Sequence, residues 1–230
     1  MARAQIPEEF LEIVAHHRPP EPPVGPKGGR PRVAHRIVLR VIWFVLTTGC
    51  RGEDVPPERG GSGRTAHRRL RAFGGGEATG PSPVDRSRKG TKPTLLVDRH
   101  GVPLAVRTAG AKASDHRPII PLILDFPRVG GQPGRPKEWP DEAYADRGFD
   151  SEGTRELLRW LGIEPPIAKW RTPHGRGLGQ VRWVVERMIS WLKGLRRMRV
   201  RYDRLGVIID AWTTLAASVI GFRILYNETV

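Results

Sequence analysis

A single acidic residue stands within a strongly basic segment near the C-terminal end of the chain. In RWVVERMISWLKGLRRMRVRY, at 182–202, the one carboxylate is Glu186. On a helix placed at 182–197, with 100° per residue, Arg182, Ser190 and Lys193 lie within about 40° of Glu186. Glu186 can therefore pair with Arg182, four residues earlier, or bind a metal ion while the neighbouring cations hold phosphate oxygens. The spacing leaves both interpretations open.

Apolar residues occupy the opposite side of the same predicted helix, on an arc of roughly 120° that is typical of a core-packed helix. They are Val184, Val185, Met188, Trp191, Leu192 and Leu195. Glu186 is thus expected on an exposed face. A metal role would need further acids, because several carboxylate oxygens hold Mg²⁺ in a two-ion site. Asp146 is the best-placed candidate, since it ends a predicted strand and ligands gather at the carboxyl ends of strands.

The overall charge indicates a polyanionic partner. The chain of 230 residues has 39 Lys and Arg against 24 Asp and Glu, a formal charge of +15. Nucleic acid is the partner that such a balance favours, although a solvated basic surface would produce the same composition. Cys50 is the only cysteine, which excludes an internal disulfide framework and fits a reducing cytoplasm. No pattern of a signal peptide or a membrane span is visible, so no membrane partner is expected.

The N-terminal part of the sequence predicts a small helical domain. Helices are expected at 6–15 and 33–49, the second being apolar on most of its surface and ending at Gly49. A third, basic helix is expected at 62–73, with Ser62 as its N-cap. A buried helix, a turn and a basic helix form the outline of a helix-turn-helix DNA reader, but an amphipathic surface helix fits equally well.

The remainder of the sequence predicts an α/β domain. The segment 74–92 is rich in Gly and Pro and is expected to be a linker. A β-hairpin is predicted at 93–110 with its turn at 98–101, and a short helix at 119–124. In 141–165 we expect a strand ending at Asp146 and a helix that begins after Asp150 or Ser151 and ends at Gly162, with a return strand after it.

Several motifs in order resemble those of bacterial insertion-sequence DDE transposases, in the group whose catalytic core ends in an Arg-Trp-Val-Val-Glu helix. The resemblance covers nearly the whole chain. Its motifs are KGGRPR, VIWFVLTTGCR, TAHRRLRAF, GPSPVDRSRKGTK, LLVDRHGVPLAV, ADRGFDS, GLGQVRWVVER and LRRMRVRYDR. A non-specific RNA-binding protein would explain the charge but not these ordered motifs.

The resemblance implies an RNase H-like core in which two Asp and one Glu hold two Mg²⁺ or Mn²⁺ ions for phosphodiester hydrolysis and strand transfer. It implies that Asp146 is the second Asp, that Glu186 is the Glu, and that Arg182 and Lys193 contact the DNA backbone. The expected partners are double-stranded DNA at transposon ends and target sites, and further copies of the chain, in the cytoplasm with the nucleoid. The other cations predicted to bind DNA are Arg64, Arg68, Arg69, Arg196 and Arg197.

One departure from the family pattern concerns the first catalytic Asp. In relatives a strand carrying that Asp follows the helix that ends here near Phe73, whereas Phe73 runs directly into GGGEATGPSP. Nothing in the sequence places Asp85, Asp98 or Asp115 beside Asp146. We therefore expect a helical domain at 1–73, a linker at 74–92 and an incomplete RNase H-like core at 93–230. The expected consequence is an impaired transposase; the alternative is a non-catalytic DNA-binding regulator or inhibitor of transposition.

Overall fold

A computed structural model of the chain describes residues 5–17, 31–71, 80–81, 89–113, 118–129, 134–169, 178–200 and 202–226. The chain divides into two compact units, one of residues 1–75 with 192–230 and one of residues 76–191. The helices are α1 (Glu8–His16), α2 (His35–Thr48), α3 (Gly63–Leu70), α4 (Ile119–Leu124), α5 (Glu152–Trp160), α6 (Leu178–Gly194), α7 (Arg196–Arg199) and α8 (Gly206–Leu225). The strands are β1 (Gly80–Pro81), β2 (Lys89–Val97) and β3 (Pro103–Gly110).

The first unit is built around α2 and α8. Helix α2 buries an apolar surface that includes Trp43, and Phe10 of α1 packs with its ring centroid 5.4 Å from Trp43 and 5.3 Å from Phe222 of α8. The helices predicted at 6–15 and 33–49 are both confirmed. Gly49 follows α2 in the left-handed conformation, with φ of 71°, which is the helix stop expected from the sequence.

Helix α3 begins as the sequence predicts and ends earlier. The Ser62 Oγ accepts a hydrogen bond from the Thr65 backbone N–H at 3.2 Å, which confirms Ser62 as the N-cap. The helix ends at Leu70 rather than 73, and residues 72–79 lie outside the described part of the chain. A Cβ on Gly63 would overlap the Gly52 carbonyl oxygen, so glycine at Gly63 lets the two backbones touch.

Helix α8 packs inside the first unit. By length and composition it could cross a membrane, but 61% of its most apolar stretch of 18 residues is buried within the protein. Its buried residues include Ile208, Trp212 and Phe222. The sequence predicts a single core at 93–230; instead, Leu192–Val230 clusters with the N-terminal residues because the apolar surface of α8 is used in the first unit.

The second unit contains an antiparallel sheet in the order β1-β2-β3. The predicted hairpin is confirmed, with Thr94 opposite Arg107. Its turn is held by the Asp98 carboxylate, which accepts hydrogen bonds from the backbone N–H groups of His100 at 2.9 Å and Val102 at 2.8 Å. The predicted linker at 74–92 is wrong for its last residues, because β2 begins at Lys89. Lys89 and Gly90 pair with β1, and the residues from Thr91 onward pair with β3.

Helices α4 and α5 cover the core of the second unit, in which Ile119, Ile123, Leu158 and Ile163 are buried. Helix α4 occupies the predicted residues, and α5 starts after Ser151 and is followed by Gly162 with φ of 79°. The two flanking strands predicted around α5 are reduced to isolated parallel bridges. These join Glu142 to Glu164 and Ala145 to Ile167.

The prediction of one helix over the basic segment at 182–197 is wrong for its last residues. Helix α6 ends at Gly194, and Leu195 has extended backbone angles, φ −74° and ψ 121°, before α7 begins. Gly194 weakens the end of the helix because glycine has a low helix propensity. Arg196 and Arg197 therefore belong to a separate short helix, and their directions do not follow from the periodicity of α6.

Candidate functional site

The exposed face of α6 carries the candidate carboxylate. Arg182 Nε lies 2.9 Å from Glu186 Oε1, with side chains 62% and 61% exposed. Ser190 and Lys193 are exposed as well, whereas Val184, Met188 and Leu192 on the opposite side are buried. The division of faces predicted from the 3.6-residue period is thus confirmed, and the ion pair that the spacing allowed is present.

Arg187 holds α6 against the hairpin turn of the second unit. Its guanidinium carbon lies 4.3 Å from the ring centroid of Trp183 and 4.8 Å from that of Trp191, and its Nη2 donates to the His100 carbonyl oxygen at 2.6 Å. Gly101, with φ of 93°, lies next to this guanidinium, because a Cβ on Gly101 would lie 2.8 Å from Arg187 Nη2. Sequence reasoning missed this role, although the four-residue spacing of Trp183, Arg187 and Trp191 is the signal for it.

Asp146 is positioned by a short 3₁₀ turn. It is the N-cap of Arg147–Phe149, and its Oδ1 accepts from the Gly148 N–H at 2.9 Å. The turn is anchored by buried Arg155 of α5, which donates to Asp150 Oδ1 at 2.7 Å and to the Ile167 carbonyl oxygen at 2.8 Å. The Asp146 side chain itself is exposed.

Another acidic residue lies just before this turn, outside the predicted site. The Tyr144 hydroxyl donates to Glu142 Oε2 at 2.8 Å, and this hydrogen bond raises the pKa of Tyr144, with the negative charge of Glu142 adding to the effect. Both side chains are exposed. Glu142 is therefore engaged in a local hydrogen bond with Tyr144.

The described residues do not fit a two-ion metal centre. Within the described part of the chain no three His, Cys, Asp or Glu residues come together in a group that could hold a metal ion. Asp146 and Glu186 are each engaged locally, and Asp98 uses its carboxylate to close the hairpin turn. The two other acids considered from the sequence, Asp85 and Asp115, lie outside the described residues. A site that shares several carboxylates between two ions needs more ligands than these.

The other cations predicted to bind DNA differ in their exposure. Arg64 and Arg68 of α3 and Arg196 of α7 are exposed. Arg69 is half-buried, with its Nη1 3.1 Å from His35 Nε2. Arg197 is buried and paired with Asp203 at 2.6 Å, whereas the predicted contact with DNA needs an exposed side chain.

Comparisons with known proteins agree with the motifs. Residues 64–220 match a family model described as "Transposase DDE domain", and residues 6–74 match one described as "Putative transposase of IS4/5 family". Together the two matches cover both compact units. No solved structure matches the chain.

Two relatives come from Burkholderia cepacia. The chain is 46% identical, over 147 residues, to the "Putative transposase for insertion sequence element IS402", a match covering 64% of this chain and 70% of the relative. It is 44% identical, over 73 residues, to the "Insertion element IS402 uncharacterized 16.2 kDa protein", covering 31% of this chain and 50% of that relative.

Proposed function

This chain belongs to the DDE transposase family, and on that basis we propose that it binds double-stranded DNA at the ends of an insertion element but does not cut it efficiently. The family carries out DNA transposition, has an RNase H-like α/β core and uses divalent metal ions. Binding and cutting make different demands on the chain. Binding requires exposed cations, whereas cutting requires a cluster of carboxylates.

The DNA-binding half of the proposal is supported by the charge and its exposure. The chain carries a formal charge of +15, and Arg182 and Lys193 lie on the exposed face of α6. Cations that neutralise phosphates release condensed counterions, so binding should weaken steeply as salt is raised. Arg64, Arg68 and Arg196 add exposed cations in the first unit.

The loss of cutting is supported by one observation above all: within the described residues, no three His, Cys, Asp or Glu come together in a group that could hold a metal ion. A family catalytic centre uses two Asp and one Glu with two ions, Mg²⁺ or Mn²⁺. We propose that this chain lacks the segment with the first Asp, since Phe73 runs directly into GGGEATGPSP. With two carboxylates the affinity for two hard cations falls, because each ion loses oxygen ligands. Asp146 and Glu186 then keep their local contacts with Gly148 and Arg182.

A chain that occupies element ends without cutting them would compete with an intact transposase for the same DNA. The proposed biological role is therefore that of an inhibitor or regulator of transposition. A chain that does not serve this role is an inactive copy of a transposase. Several copies acting together on paired ends would strengthen this competition, because linked sites raise the effective concentration.

The test uses the full chain and a labelled duplex taken from the DNA that flanks its gene, with Mn²⁺ or with EDTA. Wild type is compared with Asp146→Asn and Glu186→Gln. The proposal expects salt-sensitive retardation of the duplex by all three proteins and no cleavage in Mn²⁺. Cleavage by wild type that both variants lose would contradict the proposal and mean that another acid completes the centre.

A further inference from the structure

An open groove of about 780 Å³ lies in the first unit, between the segment before α2 and the beginning of α3. One side is formed by Pro31, Arg32 and Val33, and the other by the first two turns of α3 with the two glycines before it. Three of the lining residues are arginines, Arg32, Arg68 and Arg69, and none of the lining residues is an acid.

The arginines differ in how firmly they are held. Arg69 is fixed at the side of the groove, with its Nη1 3.1 Å from His35 Nε2 and its Nη2 donating to the Val33 carbonyl oxygen at 3.5 Å. Arg32 and Arg68 are exposed. A guanidinium presents five donors in a plane, so Arg69 keeps donors beyond these two contacts, and three such groups favour an oxyanion with several acceptor oxygens.

The shape of the groove favours an extended anion. Gly60, with φ of 75°, and Gly61 line the groove, and a Cβ on Gly61 would lie 3.1 Å from Ile37 Cγ2, so the backbone here packs closely against α2. The start of α3 lines the same groove, and the positive end of a helix dipole adds to the attraction for negative charge. A volume of about 780 Å³ exceeds that of one small ion and suits a segment of a polymer.

We infer that this groove is a clamp for the phosphodiester backbone of double-stranded DNA, in which Arg32 and Arg68 close over phosphate oxygens that Arg69 holds from the side. The inference rests on the proposed DNA binding and specifies one place where it occurs. It also assigns α3 a different task from a base-reading helix: its first turns fix the position of the backbone, and Arg68 carries no sequence information.

The experiment measures binding of the full chain to two labelled duplexes, one from the DNA that flanks the gene and one with the same bases in scrambled order, over a range of salt concentrations. The groove variant is Arg32→Gln with Arg68→Gln. The matched control, Arg51→Gln with Arg204→Gln, removes two exposed arginines of the same unit that do not line the groove. Circular dichroism checks that both variants retain the wild-type helix content.

The expected result is a loss of about 1.8 in the slope of log affinity against log salt for the groove variant, since each phosphate contact contributes about 0.9. The loss should be equal on both duplexes, and the control should keep the wild-type slope. A groove variant that binds like the control, or a loss on the flanking duplex alone, would overturn the clamp while leaving the proposed function in place. If wild type bound neither duplex, the proposed function would fail together with the clamp.

Discussion

Arg197 Nη2 donates to Asp203 Oδ2 at 2.6 Å, with both side chains nearly removed from solvent, 6% and 11% exposed. The same carboxylate oxygen accepts from Trp212 Nε1 at 3.1 Å, and the other lies 3.0 Å from His67 Nε2. Arg197 Nη1 also donates to the Cys50 carbonyl oxygen at 3.3 Å. One buried ion pair thus connects α3, α7, α8 and the residue that follows the stop of α2.

Replacement of Arg197 should destabilise the first unit strongly. Arg197→Ala leaves the buried Asp203 carboxylate without its cation, and breaking such a pair costs about 3–5 kcal/mol. The control is Arg196→Ala, which removes the adjacent exposed arginine and should change the free energy of unfolding by less than about 0.5 kcal/mol. Urea unfolding followed by circular dichroism measures both. Equal losses in the two variants would mean that the pair does not stabilise the fold.

Gly49 should not tolerate a side chain. Its φ of 71° is unfavourable for other residues by about 1–2 kcal/mol, and a Cβ would also lie 2.9 Å from Arg196 Cβ. Gly162→Ala is the control, because Gly162 has a similar φ of 79° but a Cβ added to it would meet no atom within 4 Å. We expect Gly49→Ala to lower the melting temperature more than Gly162→Ala does. If the two shifts were the same, the contact with Arg196 would have no energetic effect.

Arg187→Lys should destabilise the second unit although it keeps the charge. Lysine cannot reproduce the planar group that lies against Trp183 and Trp191 while donating to His100. A loss of about 2 kcal/mol in the free energy of unfolding is expected from one hydrogen bond to a charged group and the cation–π contacts. Arg182→Lys, on the exposed face of the same helix, serves as the control and should be close to neutral. A neutral Arg187→Lys would show that charge alone suffices.

The Arg182–Glu186 pair should matter for DNA and little for stability. An exposed pair at this spacing contributes about 0.3–0.5 kcal/mol, so Glu186→Gln should leave the melting temperature nearly unchanged. If Arg182 contacts a phosphate, Arg182→Gln should reduce the salt slope of DNA binding by about 0.9. Arg128→Gln, with a side chain 78% exposed in the same unit, is the control. An unchanged slope for Arg182→Gln would remove Arg182 from the DNA interface.

Local patterns were sufficient for many elements of the fold. The Ser62 cap, the stop at Gly49 and the short helix α4 follow from residues that are neighbours in sequence. The exposed face of α6 follows from its helical period, which requires no knowledge of its partners. The extension of β2 back to Lys89 does not, because Lys89 and Gly90 form a strand by pairing with β1, a segment that is distant from them in local pattern.

Arg196 and Arg197 mark the limit between the two kinds of information. The sequence by itself determined the family, the charge and the acids to consider, since these depend on residue types, order and spacing. It treated the two arginines alike, as cations for DNA. In the tertiary structure one of them is exposed and the other is buried. The break at Leu195 gives α7 its own direction, and Asp203 and Trp212, which follow later in the chain, contact Arg197. Burial is a property of packing between segments, and only the folded chain brings those segments together.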